Sequence, residues 1–120
     1  DYGFVPQTLW DDGDALDVVL FTTHPLLPGI LAPARPIGIM RMTDGGEADE
    51  KIIAVASGDP RYAAVQDIKD ANQHVLKEIA HFFATYKQIQ KKEVVVGAFE
   101  GRTAAHAAFV RARKLYDESK

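Results

Sequence analysis

The chain has 120 residues, of which 47% are hydrophobic and 26% charged, so one ordinary globular domain is expected over residues 1–120. Its 14 Lys and Arg against 17 Asp and Glu give a formal charge of -3, which argues against nucleic acid as the main partner. There is no cysteine, which excludes disulfides, thiolate metal sites and thiol nucleophiles and fits a reducing compartment, and no apolar run is long enough to read as a membrane span.

Residues 1–17 read as a polar and aromatic loop punctuated by Gly3, Pro6 and Gly13. The chain opens on Asp1-Tyr2-Gly3-Phe4 rather than on Met, which reads like the middle of a domain. Val18 to Phe21 is expected to be a buried strand, and Pro25, Pro28 and Gly29 a turn. Ile30 to Met42 alternates loosely and reads as one long bent strand, with its prolines at edges or bulges. An acidic turn over 43–50 leads into a strand from Lys51 to Ala56, and Gly58-Asp59-Pro60-Arg61 reads as a turn. Val75, Ile79, Phe82, Phe83 and Tyr86 repeat at helical spacing, which predicts a helix from Asn72 to Gln90 capped by Asp70 or Asn72. Glu93 to Phe99 is expected to be a strand ended by Gly101, and Thr103 to cap a last helix with Ala105, Ala108, Phe109, Ala112 and Tyr116 on its inner face. This order is not the strand–helix alternation of a doubly wound fold. It predicts an α+β fold, a small barrel or curled sheet carrying helices.

The chemistry is concentrated in two acidic segments. Asp11, Asp12, Asp14 and Asp17 fall within seven residues, around Gly13, and run into Val18-Val19-Leu20-Phe21. Asp44, Glu47, Asp49 and Glu50 do the same ahead of Ile52-Ile53-Ala54-Val55. Carboxylates this close repel one another unless a counter-charge meets them, and hard divalent cations meet oxygen ligands best. Two acidic turns at the mouths of two strands suggest one multi-metal site. Asp12, Asp14 and Asp17 are the sharpest candidates for holding Mg2+ and for taking a proton from a water that the metals make nucleophilic. A solvated Asp/Gly turn is the plain alternative for each segment. Lys51, Lys87 and Arg35 are candidates for an anionic ligand. Equally, Lys87 suits the negative end of the helix dipole, Tyr86 a core cap and Arg35 a structural ion pair. Histidines 24, 74, 81 and 106 lack metal-ligand spacing, and His81 reads as a packed or interface residue. Walker, GxSxG and GxGxxG motifs are absent from the sequence.

Taken together, Asp1-Tyr2-Gly3-Phe4-Val5-Pro6-Gln7-Thr8, Asp12-Gly13-Asp14-Ala15-Leu16-Asp17, Pro28-Gly29, Arg35-Pro36-Ile37-Gly38, Met42-Thr43-Asp44 through Asp49-Glu50-Lys51, Ala54-Val55, Asp59-Pro60-Arg61-Tyr62 and His81-Phe82-Phe83-Ala84-Thr85-Tyr86-Lys87 match a pattern. In order and spacing the chain closely resembles the soluble family I inorganic pyrophosphatases. The resemblance implies a five-stranded OB-like barrel with two flanking helices, and Mg2+-dependent hydrolysis of pyrophosphate to two phosphates, with Mn2+ or Zn2+ as substitutes. It implies Asp12, Asp17 and Asp49 as ligands of the tighter metals and Asp44 as ligand of a further one. It implies Asp14 as the carboxylate that orients and deprotonates the water, and Tyr2, Lys51, Tyr86 and Lys87 as the groups on the phosphates. It further implies a cytoplasmic homo-oligomer, a hexamer, with no nucleic-acid or membrane partner. Two departures stand out. Ala15 replaces the family's usual proline, which removes a preset backbone angle from the metal turn. The match also begins part-way into the family pattern, so an incomplete barrel is expected, and a non-catalytic module that binds metal or phosphate, or serves in assembly, is the competing reading.

Overall fold

A computed structural model describes residues 1–86 and 93–120. Its strands are β1 (Tyr2–Phe4), β2 (Asp17–Phe21), β3 (Ala34–Asp44), β4 (Glu47–Ala48), β5 (Lys51–Ala56) and β6 (Val94–Gly101), and its helices are α1 (Gln73–Thr85) and α2 (Arg102–Glu118). β1 pairs antiparallel with β2, β2 parallel with β5, and β5 antiparallel with the long β3, which also carries β4 and β6. Among the described residues the sheet runs from β1 to β6 without pairing these two strands, so the expected barrel is present as an open mixed sheet with two helices.

The strand pattern follows from burial on both faces. β5 reads Lys-Ile-Ile-Ala-Val-Ala, and successive side chains leave a strand on opposite sides. Ile52 and Ala54 pack with Trp10, Leu16, Leu20 and Ile39 against Ala105, Ala108 and Ala112 of α2. Ile53 and Val55 pack with Val19, Ile37, Met40 and Met42 against Leu76 and Phe83 of α1. A strand covered on both faces needs an almost unbroken apolar run, which β5 has. The three alanines of α2 keep its inner face flat enough to lie close on the sheet.

Local chemistry sets the element ends. Asn72 caps α1 by accepting from the His74 and Val75 N–H groups (3.0 and 3.3 Å). The described part of α1 ends at Thr85 with Tyr86 as its C-cap, and the remainder of the predicted helix lies outside the described residues. Gly45 and Gly46 have φ of 60° and 86°, the two positive values that a tight hairpin between β3 and β4 requires. β3 begins at Ala34 rather than Ile30, because its first partner, Ala56, is the last residue of β5 and no strand extends further. Its Pro36 lies at a register shift before Gly38, where a missing N–H is tolerated. Thr103 does not cap α2. That helix starts at Arg102 with no side-chain cap from its own N-cap residue, and Asp67 accepts the Arg102 N–H across the fold at 3.1 Å.

Candidate active site

β2 and β5 are parallel neighbours, with Asp17 opposite Lys51. Two positions before Lys51, and so on the same face, lies Asp49. Lys51 Nζ therefore donates to Asp17 Oδ2 at 2.6 Å and to Asp49 Oδ1 at 2.8 Å, and its side chain is only 2% exposed. Burial pulls the ammonium pKa down, but hydrogen bonds to Asp17, Asp49 and Tyr2 outweigh it and hold Lys51 above its ordinary value, firmly charged.

Asp12 reaches the same place from a built turn. The Gly13 N–H donates to Trp10 O (3.0 Å), the Trp10 N–H to Asp14 O (2.8 Å) and the Asp14 N–H to Asp12 Oδ1 (3.0 Å). Gly13 supplies the positive φ of 86° at the bend. One carboxylate oxygen from each of Asp12, Asp17 and Asp49 then lies within 4.8 Å of the other two. Burial raises the Asp49 pKa above its ordinary value and its hydrogen bond with Asp12 adds to this, while Lys51 opposes both. Among the described residues one ammonium meets three converging carboxylates, a balance that favours a divalent cation.

The cluster forms the floor of a cleft of about 760 Å³ lined by Tyr2, Asp12, Asp14, Asp17, Asp44, Glu47, Asp49, Lys51, Tyr86 and Glu93, with the backbone of Gly45. Tyr2, Asp12, Asp14, Asp17, Asp44, Asp49, Lys51 and Tyr86, named from the sequence, thus converge here, whereas Arg35 does not and Lys87 lies outside the described residues. Burial pushes the Tyr2 phenol up to about 12, with Asp17 adding to the rise and Lys51 opposing it, so it stays an O–H donor at neutral pH. Tyr86 stacks on Phe82 (5.2 Å) and meets Phe83 edge-on (5.7 Å), which steers its ring toward the cleft mouth.

Other candidates fall elsewhere. Arg35 donates to the Tyr62 and Val65 carbonyls (2.7 and 2.9 Å) and ties down a loop instead of facing the cleft. None of the histidines lines the cleft, and His81 is exposed rather than packed within the chain. Glu47 and Glu93 were not singled out. Glu93 carried a readable signal, a carboxylate directly ahead of Val94-Val95-Val96, the same acid-before-strand pattern as the other two segments. Its carbonyl accepts from the Gly45 N–H at 2.8 Å, which brings the third acidic mouth beside the second.

All the convergent donors are oxygens, with no thiolate and no imidazole among them, a set that suits Mg2+ or Mn2+. The open sheet and its carboxylate-lined mouth define the class: an α+β protein with carboxylates placed to hold a hard cation at the ends of its strands. Comparison with known proteins narrows this class. The family model described as inorganic pyrophosphatase matches residues 1–117. An inorganic pyrophosphatase of Haloferax volcanii is 45% identical over 120 residues, covering 99% of this chain and 68% of the relative. One from Nostoc is 54% identical over 92 residues, covering 77% of this chain and 54% of the relative. The crystal structure of the Thermus thermophilus inorganic pyrophosphatase superposes with a TM-score of 0.93 at 40% identity, covering 98% of this chain and 69% of that one. The chain belongs to the inorganic pyrophosphatase family, a family of hydrolases. It spans only part of the length of these relatives.

Proposed function

We propose that this chain hydrolyses inorganic pyrophosphate to two phosphates with Mg2+. The observation that carries the reading is the convergence of Asp12, Asp17 and Asp49 beside Asp14 in one acidic cleft that also holds Lys51, Tyr2 and Tyr86. Asp12, Asp17 and Asp49 would hold the tighter ions and Asp44 a further one. When bound, the ions would supply charge neutralisation and an acidified water.

The chain's own groups divide the remaining work. Asp14 is exposed on the same turn as Asp12, free of the buried ion-pair cluster, and acts as the base for the attacking water. Water oxygen adds to one phosphorus, the bridging P–O bond breaks, and the proton leaves toward Asp14. Lys51, held cationic, is a fixed positive charge rather than a proton donor. Tyr2, kept protonated, donates its O–H to a phosphate oxygen, and Tyr86 and Lys87 complete the anion side. The same reading takes the protein as a cytoplasmic homo-oligomer, a hexamer.

The decisive experiment is phosphate release from pyrophosphate with Mg2+ and with EDTA, on the wild type and on Asp14→Asn. Rapid Mg2+-dependent release that falls by about 100-fold or more in the folded variant supports the assignment. Unchanged release in Asp14→Asn sinks it. A folded wild type with no release favours the non-catalytic module.

A further inference from the structure

Helix α2 contributes no residue to the cleft, yet it grips the acidic turn at several points. Arg113 Nη1 donates to Gln7 O at 2.6 Å, and Gln7 is the one non-glycine residue with positive φ among the described residues. The Leu9 N–H donates to the Ala112 carbonyl at 3.0 Å. Arg111 takes Asp11 in a two-point ion pair, Nη2 to Oδ1 at 2.6 Å and Nη1 to Oδ2 at 3.1 Å. The same guanidinium lies 4.7 Å from the centre of the Trp10 ring. Trp10 is 5% exposed and packs on Ala105, Ala108 and Ala112. Its Nε1–H points to Glu50 Oε1 at 3.4 Å, next to Asp49 in the chain. Trp10 and Asp14 also close the turn that carries Asp12.

We propose that Arg111 is a positioning residue for the acidic turn: stacked on Trp10 and forked onto Asp11, it fixes residues 10–14 and thereby sets the divalent-cation affinity of the cleft. The proposal rests on the reading of that cleft as a Mg2+ site. Arg suits the role because its planar fork can pair and stack at once, which an ammonium cannot do.

The sign of the effect separates positioning from charge. Deleting a positive side chain near an acidic cluster should tighten cation binding if electrostatics alone acts. Positioning requires the opposite. Mg2+ binding is measured by calorimetry, and in parallel by the fluorescence of Trp10, the only tryptophan in the chain. Arg111→Ala is expected to raise the Mg2+ midpoint by about tenfold, the lower end of what residues behind metal ligands contribute. Arg111→Lys, which keeps the charge without the flat fork, should fall between the two and serves if the alanine variant does not fold. Lys114→Ala, an exposed change on the same helix (side chain 76% exposed), should match the wild type. An unchanged or lower midpoint in Arg111→Ala, with wild-type binding intact, overturns the positioning role alone. Absence of Mg2+ binding in the wild type overturns this proposal together with the metal-site reading.

Discussion

Burying a lysine is costly unless its charge is met, and Lys51 is met twice, by Asp17 and Asp49. The dependence is mutual. Without Lys51, the carboxylates of Asp17 and Asp49 would lose the buried ammonium that both accept from, beside Asp12. Lys51→Met should therefore destabilise the chain by roughly 3 kcal/mol in EDTA, the scale for breaking a buried pair by removing one partner. Mg2+ should recover part of that loss by taking over the counter-charge. Urea unfolding with and without Mg2+ checks both halves, and equal stability of variant and wild type in EDTA would show that the pair is not needed. At this scale the crowding of acids ahead of two apolar strands was legible, although a solvated turn would read the same way locally. The second role of Lys51 was not. It depends on Asp17 lying opposite Lys51 across a parallel pair, and a parallel register between residues 34 apart in sequence leaves no local signature.

Elements repeat the contrast between local and distant causes. β5, the Asn72 cap and a turn within 43–50 were readable, since each is decided within a few residues. The start of β3 and the cap of α2 were not, since both are decided by another segment. Leu31 continues the apolar alternation but is 85% exposed, because no strand reaches it for pairing. Asp67 accepts the N–H groups of Arg102 and Ile68, and these hold its carboxyl below the ordinary range. A carboxyl whose folded pKa is depressed stabilises fully above its unfolded value and loses that contribution as pH falls through the folded one. The stability advantage of wild type over Asp67→Ala should therefore be flat above about pH 5 and shrink below about pH 4. Guanidinium unfolding across pH 3–7 tests this, and a difference that grows on acidification would refute the capping role. Gly38 is the other element-scale constraint. A Cβ there would lie 2.6 Å from the Glu100 carbonyl and 2.8 Å from Ile68 Cδ1, where β3 is crossed closely by β6 and the residue 68–70 turn. Gly38→Ala should cost about 1–3 kcal/mol in thermal unfolding by overpacking, and a neutral effect would mean the strands can part there.

At the scale of the whole molecule, an α+β sheet with two helices was readable from the order of elements and the incomplete barrel from the resemblance, whereas the strand order from β1 to β6 is a matter of long-range pairing that periodicity does not encode. The site belongs to this scale too, because no single element makes it: Asp12 comes from a turn braced by α2, Asp17 from β2 and Asp49 from the approach to β5. A ligand held by all three can bind only when the turn, the parallel pair and the helix are assembled together. On the proposed reading Mg2+ binds the folded state and has no comparable site in the unfolded chain, so it should stabilise the fold as a unit, by about 2.7 kcal/mol at 100 times its Kd. The net charge of -3 complicates the reading, since any salt relieves repulsion in an acidic cleft. Screening and coordination separate when Mg2+ is compared with NaCl at matched ionic strength. Coordination predicts a rise in Tm with Mg2+ that NaCl does not reproduce, that EDTA reverses, and that Asp49→Asn weakens even though the variant has one fewer acid to repel. If NaCl gives the same rise, or Asp49→Asn keeps all of it, the three carboxylates act as a charged surface and not as one ligand set.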